Sequence, residues 1–294
     1  MRPGKWFGAG LIGLGGLVAA NALLGPLVTE VIRYRTSDTT LNQVIGADAA
    51  ALAVVAPLCV LVGVLALRGH PAAPALALGP AGFALYMFPQ VIVGQEYLRL
   101  PGNNERFFPL HLAAFVLAGA LFVVAWRAVD TRELPPSPAG VDKLAAGVLG
   151  LIAAFLVLGL HLPSAVDALR DDPTRVEYRS SPTPFWLVKL MDLGIVVPVA
   201  IAAAADLWRG AAWVRKPAYA VLGAYTLVGT SVAGMAITMS VNDDPDASLA
   251  NVVAFTAFAL ALAALAVRLY WPSLHPRGAD SPHDQGVPHV VRTT

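Results

Sequence analysis

The chain has 294 residues, 57% of them hydrophobic and only 13% charged, with a mean hydropathy of +0.65. Water-soluble domains carry about 25% charged residues, so this composition excludes an ordinary soluble enzyme and a disordered chain alike. The formal net charge of +1 leaves no basic footprint for nucleic acid, and the single cysteine, Cys59, excludes a disulfide framework or a multi-cysteine metal site.

A helix crossing the hydrocarbon core needs about 20 mostly apolar residues. Eight stretches meet this, near 7–29, 44–68, 72–95, 107–129, 143–165, 184–208, 212–240 and 248–271. They are long and dense in Ala, Leu, Val and Gly, without the period-2 alternation of a membrane β-barrel. The expected fold is therefore all-α, an integral membrane bundle of about eight helices.

The first span follows Arg2 and Lys5, and Ala20-Asn21-Ala22 resembles a leader cleavage site. The apolar run continues through Leu23, Leu24, Leu27 and Val28, so it reads as a retained helix. Span two carries Asp48 a few residues inside its start, with Asn42 or Gln43 as the expected cap. Span three holds Tyr86 and Gln90 and ends near Gln95, Glu96 and Tyr97. His111 begins span four, and His161 lies at the end of span five. Span six contains Lys189 and Asp192, and span seven has Thr226, Thr230, Ser231 and Thr238 near helical spacing. Pro57, Pro80, Pro89 and Pro198 interrupt spans, which membrane helices tolerate when neighbours satisfy the freed carbonyls. Residues 273–294 read as a disordered tail.

Orientation follows from Lys and Arg placement. With the N-terminus in the cytoplasm, 12 basic residues fall inside and 7 outside, with Lys189 within a span. Both termini are therefore expected in the cytoplasm, with the chain in a bacterial inner (plasma) membrane.

The two halves share a pattern. Val54-Val55-Ala56-Pro57 precedes Arg68-Gly69 as Ile195-Val196-Val197-Pro198 precedes Arg209-Gly210, at an offset of 141 residues. This predicts a parallel 4+4 repeat, residues 1–138 and 139–272, related by an axis along the membrane normal, with helices two and six lining the seam. Ala9/Gly13 and Ala146/Gly150 supply small-xxx-small spacing for close helix contact in spans one and five.

Ionisable groups within spans are costly, about 2.5–3.5 kcal/mol at a helix centre on insertion scales. Asp192 lies eight residues into span six, a depth of about 12 Å at 1.5 Å per residue. Lys189, one turn earlier, is its expected partner on the same helix face. Asp48 aligns with Lys189 under the repeat and is placed to approach it across the axis. The expected binding residues are Asp192, Lys189, Asp48, Glu96, Gln90 and His111. No histidine pair has a diagnostic ligand spacing, and no Walker or nucleophile-elbow motif occurs, so no metal or cofactor is expected.

Tyr86-Met87-Phe88-Pro89-Gln90 with Gly94, then Pro101-Gly102-Asn103-Asn104 and Phe107-Phe108-Pro109-Leu110-His111, with Met191-Asp192-Leu193…Pro198 later in the chain, resembles a group of bacterial, actinobacterial-type multipass membrane proteins. The resemblance implies topology over spans two to eight and brings no catalytic residue. The expected function is transport or binding of a small molecule or proton at a polar site open to the outer face. The alternatives are an enzyme acting on a lipid or isoprenoid through His111, Asp48 or Glu96, and an accessory subunit of an envelope complex. The expected partners are the lipid bilayer and possible membrane proteins.

Overall fold

Eight helices are long and apolar enough to cross a membrane in the computed structural model, which describes residues 3–132, 134 and 140–275. They are α1 (Lys5–Leu24), α2 (Asp38–Leu67), α3 (Ala73–Val93), α4 (Asn104–Ala128), α5 (Val141–Ala168), α6 (Pro182–Trp208), α7 (Arg215–Val241) and α8 (Leu249–Leu274). No strand occurs among the described residues. The chain is an all-α, multipass integral membrane protein. Most of the proline-rich stretch 133–138, Arg2, and the expected tail from residue 276 onward lie outside the described residues.

Two boundaries differ from the hydropathy reading. α1 ends at Leu24 rather than near 29, because Pro26 pushes the residue before it out of helical geometry, and Gly25 is extended (ψ −170°). α2 begins at Asp38, not near 44, because Ser37 caps it by accepting from the Thr40 amide (3.4 Å). The cap is therefore Ser37, not Asn42 or Gln43, and Asp48 lies a further turn and a half inside the helix.

Three helices widen into a π-turn: α2 at Ala51–Val55, α5 at Phe155–His161 and α6 at Asp192–Val196. Each ends two residues before a proline (Pro57, Pro163, Pro198). A proline has no amide proton to donate, and its ring crowds the carbonyl four residues earlier, so the preceding turn opens. Each π-turn adds one residue to its helix and rotates the remaining turns about the helix axis.

Helices pair as α1 with α2, α3 with α4, α5 with α6 and α7 with α8, and α3 and the first half of α2 both pack on α7. The seam between halves is thus α3–α7 and α2–α7, in place of the expected α2–α6 seam. Glycines permit it. At Gly46 and Gly234 the backbones of α2 and α7 touch, and at Gly79 and Gly223 those of α3 and α7 do. A Cβ at Gly13 would meet only Leu117 at 3.9 Å, and one at Gly150 would meet nothing within 4 Å, so Gly13 and Gly150 are not points of close helix approach. At the other end of α7, Tyr219 donates to the Leu269 carbonyl and Tyr270 to the Tyr219 carbonyl, joining α7 to α8.

Several features recur at the 141-residue offset. The π-turns of α2 and α6 start at residues 51 and 192, and these helices end at Leu67 and Trp208. Left-handed Gly69 (φ 73°) and Gly210 (φ 74°) come just after them. The connections 25–37, 94–103, 169–181 and 242–248 gather at one end of the bundle, the far face, opposite the N-terminus.

Candidate functional site

Asp192 opens the π-turn of α6, and His161 closes the π-turn of α5; the two turns pack against each other. Tyr86 reaches in from α3. Its hydroxyl donates to Asp192 Oδ1 at 2.7 Å, and His161 Nε2 lies 2.7 Å from Asp192 Oδ2. The carboxylate can only accept, so we assign the imidazole proton to Nε2. His161 Nδ1 is buried with no partner. From α7, Tyr225 turns its buried hydroxyl toward the same carboxylate without completing a hydrogen bond. Asp192 is 4% exposed and His161 2%, so three helices are pinned at one charged, nearly dry point.

Above this point lies a cavity of about 650 Å³, whose walls come from α3, α5, α6, α7 and α8, with Thr39 and Gln43 from the start of α2. Its inner end includes Tyr86, Asp192, Tyr225 and Ser231. The Ser231 hydroxyl is buried and unpartnered. Its mouth at the far face includes Thr174, Arg175, Glu177, Asp246, Ser248 and Asn251. Phe155 on α5 meets Phe255 and Phe258 on α8, with ring centroids 6.4 and 6.5 Å apart, and these rings form one wall.

Of the six residues expected from the sequence, Asp192 and Gln90 line the cavity. Gln90 donates its side-chain amide to the Tyr86 carbonyl (3.1 Å), one turn back along α3. The expected Lys189–Asp192 ion pair is not formed. Lys189 Nζ lies 3.1 Å from the centroid of the Phe185 ring instead. Helical side chains lean toward the N-terminus, so this long side chain reaches back to Phe185, toward the far face and away from Asp192.

Asp48 does not meet Lys189 either. Its Oδ1 accepts from Asn21 on α1 (3.3 Å), Asn21 accepts from Tyr34 (3.1 Å), and Asp48 Oδ2 has no partner. Glu96 is a fastening. Its Oε1 accepts from the Thr183 amide at the start of α6 (2.7 Å), with Arg99 at 3.7 Å. His111 is buried on α4 beside Phe88, its Nε2 without a partner. Asp48, Glu96 and His111 lie apart from the cavity lining and do not converge on a common point. Among the described residues, no group of three His, Cys, Asp or Glu side chains is placed to hold a metal ion.

The Pro101-Gly102-Asn103 stretch has a mechanical role. Arg35 grips Glu105 with two bonds (2.6 and 3.0 Å) and also donates to the Leu100 carbonyl. Asn103 exchanges bonds with residues 31 and 33, and Gln95 accepts from the Arg35 amide. Together with Glu96, this clamp holds the 25–37 connection and the head of α6 in one unit at the far face.

His161 and Tyr86, the two side chains bonded to Asp192, were not paired with it from the sequence. A usable signal was depth. His161 lies seven residues from the end of α5 and Asp192 ten from the start of α6, so both sit about 10–15 Å from the far ends of their helices. Ending span five at 165 hid this.

Compared with protein-family models, curated proteins and solved structures, the chain matches none of them.

Proposed function

We propose that this protein binds, and carries across the membrane, a small molecule that enters the cavity from the far face and engages Asp192. The observation that carries this reading is the cavity of about 650 Å³ that runs from a polar mouth down to one buried carboxylate. Ligand pockets for small molecules span about 300–1,000 Å³, with mostly apolar walls and a few placed polar groups. Intramembrane carboxylates facing a cavity mark substrate or proton pathways. π-turns are frequent at functional sites, and two of them here position the Asp192–His161 pair.

In this reading the far face is extracytoplasmic, both termini are cytoplasmic, and the membrane is the inner membrane of a bacterium of the group the chain resembles. The basic-residue bias supports that orientation. The recurrences at 141 residues support a 4+4 parallel repeat, with the site formed where the second half meets α3 of the first. The enzyme alternative rested on His111, Asp48 or Glu96, and none of these three lines the cavity. The accessory-subunit alternative does not account for a charged cavity.

The test is uptake or binding by purified protein in liposomes, screened over small charged and neutral solutes, with Asp192→Asn in parallel. Loss of a solute-dependent signal in the variant supports the reading; an unchanged signal removes Asp192 from the function.

A further inference from the structure

We infer that the ligand is an organic monocation with an apolar body, an inference that rests on the cavity being the binding site. Charge is the first argument. Asp192 sits at the inner end and Glu177 and Asp246 at the mouth, against Arg175 as the single basic residue among the described lining. Lys189 is held over Phe185 outside the lining. His161 lies outside the lining. The cavity thus carries excess negative charge in low-dielectric walls, which concentrates cations and raises their association rates 10- to 10³-fold.

The walls make the second argument. A bare inorganic cation needs a shell of oxygen ligands, and the inner end offers one carboxylate and a few hydroxyls, with Glu177 and Asp246 away at the mouth, in a space far larger than such an ion. Tyr86, Tyr225, Phe155, Phe255 and Phe258 instead put aromatic rings in the lining, and the faces of such rings attract ammonium groups within about 6 Å of the centroid. Met87, Met235 and Met239 add flexible, polarisable surface that moulds to an irregular apolar shape. Asp192 accepts from Tyr86 and lies against His161, and the Tyr225 hydroxyl near it is unpartnered. A substituted ammonium meets the carboxylate by charge and the rings by their faces, whereas an anion meets like charge at both ends of the cavity.

The experiment uses the full chain in liposomes, with Cys59→Ala as background and a single cysteine placed on the α7 wall by Val228→Cys or, separately, Val232→Cys. Two water-soluble methanethiosulfonates are compared, one ending in trimethylammonium and one in sulfonate. Each rate is normalised to that reagent's rate with 2-mercaptoethanol. The expected result is labelling about tenfold or more faster by the cation, a several-fold fall in that ratio with Asp192→Asn, and protection by benzyltrimethylammonium but not by phenylmethanesulfonate. Labelling with a ratio near one, or a ratio unmoved by Asp192→Asn, overturns the cation assignment while leaving an open cavity in place. Failure of both reagents at both positions in protein that remains folded and monodisperse overturns the binding cavity itself, and the cation with it.

Discussion

The bond between His161 and Asp192 joins the π-turns of α5 and α6, and a double-mutant cycle measures it. The singles are His161→Phe and Asp192→Leu, combined in the double variant. The pair is 2.7 Å apart, with side chains only 3% and 6% exposed, so solvent gives little screening. Hydrogen bonds to charged groups contribute about 1.5–3 kcal/mol in soluble proteins, whereas interhelical bonds in membrane bundles average about 0.6 and reach about 1.7 kcal/mol. A charged acceptor places this bond at the upper end of the membrane range, so the expected coupling is about 1.5 kcal/mol. Each single variant strands a buried partner: Phe at 161 leaves the carboxylate one donor short, and Leu at 192 leaves His161 Nε2–H and the Tyr86 hydroxyl unpaired. The double variant removes both sides of the bond and is expected to be more stable than the singles predict by simple addition. Reversible unfolding by SDS titration in mixed micelles gives the four free energies. A second cycle with Lys189→Met and Asp192→Leu is expected to show coupling below about 0.3–0.5 kcal/mol, as for residues that share no contact. A larger coupling for Lys189 than for His161 would refute the partner assignment.

Three further outcomes are expected. Gly234→Ala puts a methyl against the Gly46 carbonyl region of α2 and is expected to destabilise by about 1–3 kcal/mol in the same SDS titration, while Gly150→Ala, with open space around it, is expected to be neutral or to stabilise by up to about 1 kcal/mol through helix propensity. Glu96→Ala removes the acceptor for the Thr183 amide and is expected to cost about 0.5–2 kcal/mol, as other lost N-terminal caps do; Glu96→Gln, which keeps an acceptor, is expected to restore most of it, and a loss of ligand binding in Glu96→Gln without a stability change would contradict the fastening role. The Arg35–Glu105 grip is expected to hold the 25–37 connection still: a spin label at Val28→Cys in a Cys59→Ala background should give a sharper, more mobile spectrum with Glu105→Gln, and an unchanged spectrum would remove the grip from that role.

The eight spans were legible because hydropathy is a local sum: a window of apolar residues reports its own transfer free energy whatever its neighbours do. Asp192 stood out for the same reason, as a carboxylate too deep to reach headgroups. The helix ends were less legible. Gly25-Pro26 and Ser37 act through backbone geometry and one capping bond, signals that a hydropathy window averages away.

The partners of Asp192 lay beyond the sequence because they belong to three different helices. Whether Lys189, Asp48 or His161 faces it depends on how each helix is rotated about its axis, and the π-turns before Pro163 and Pro198 shift that rotation by an extra residue. The seam through Gly46–Gly234 and Gly79–Gly223 brings α7, and with it Tyr225, to the site. The linear chain thus specified which segments enter the bilayer and which acid must find company there. Packing alone chose the company, because a side chain's direction across a bundle is set by helix phase and close contact rather than by composition.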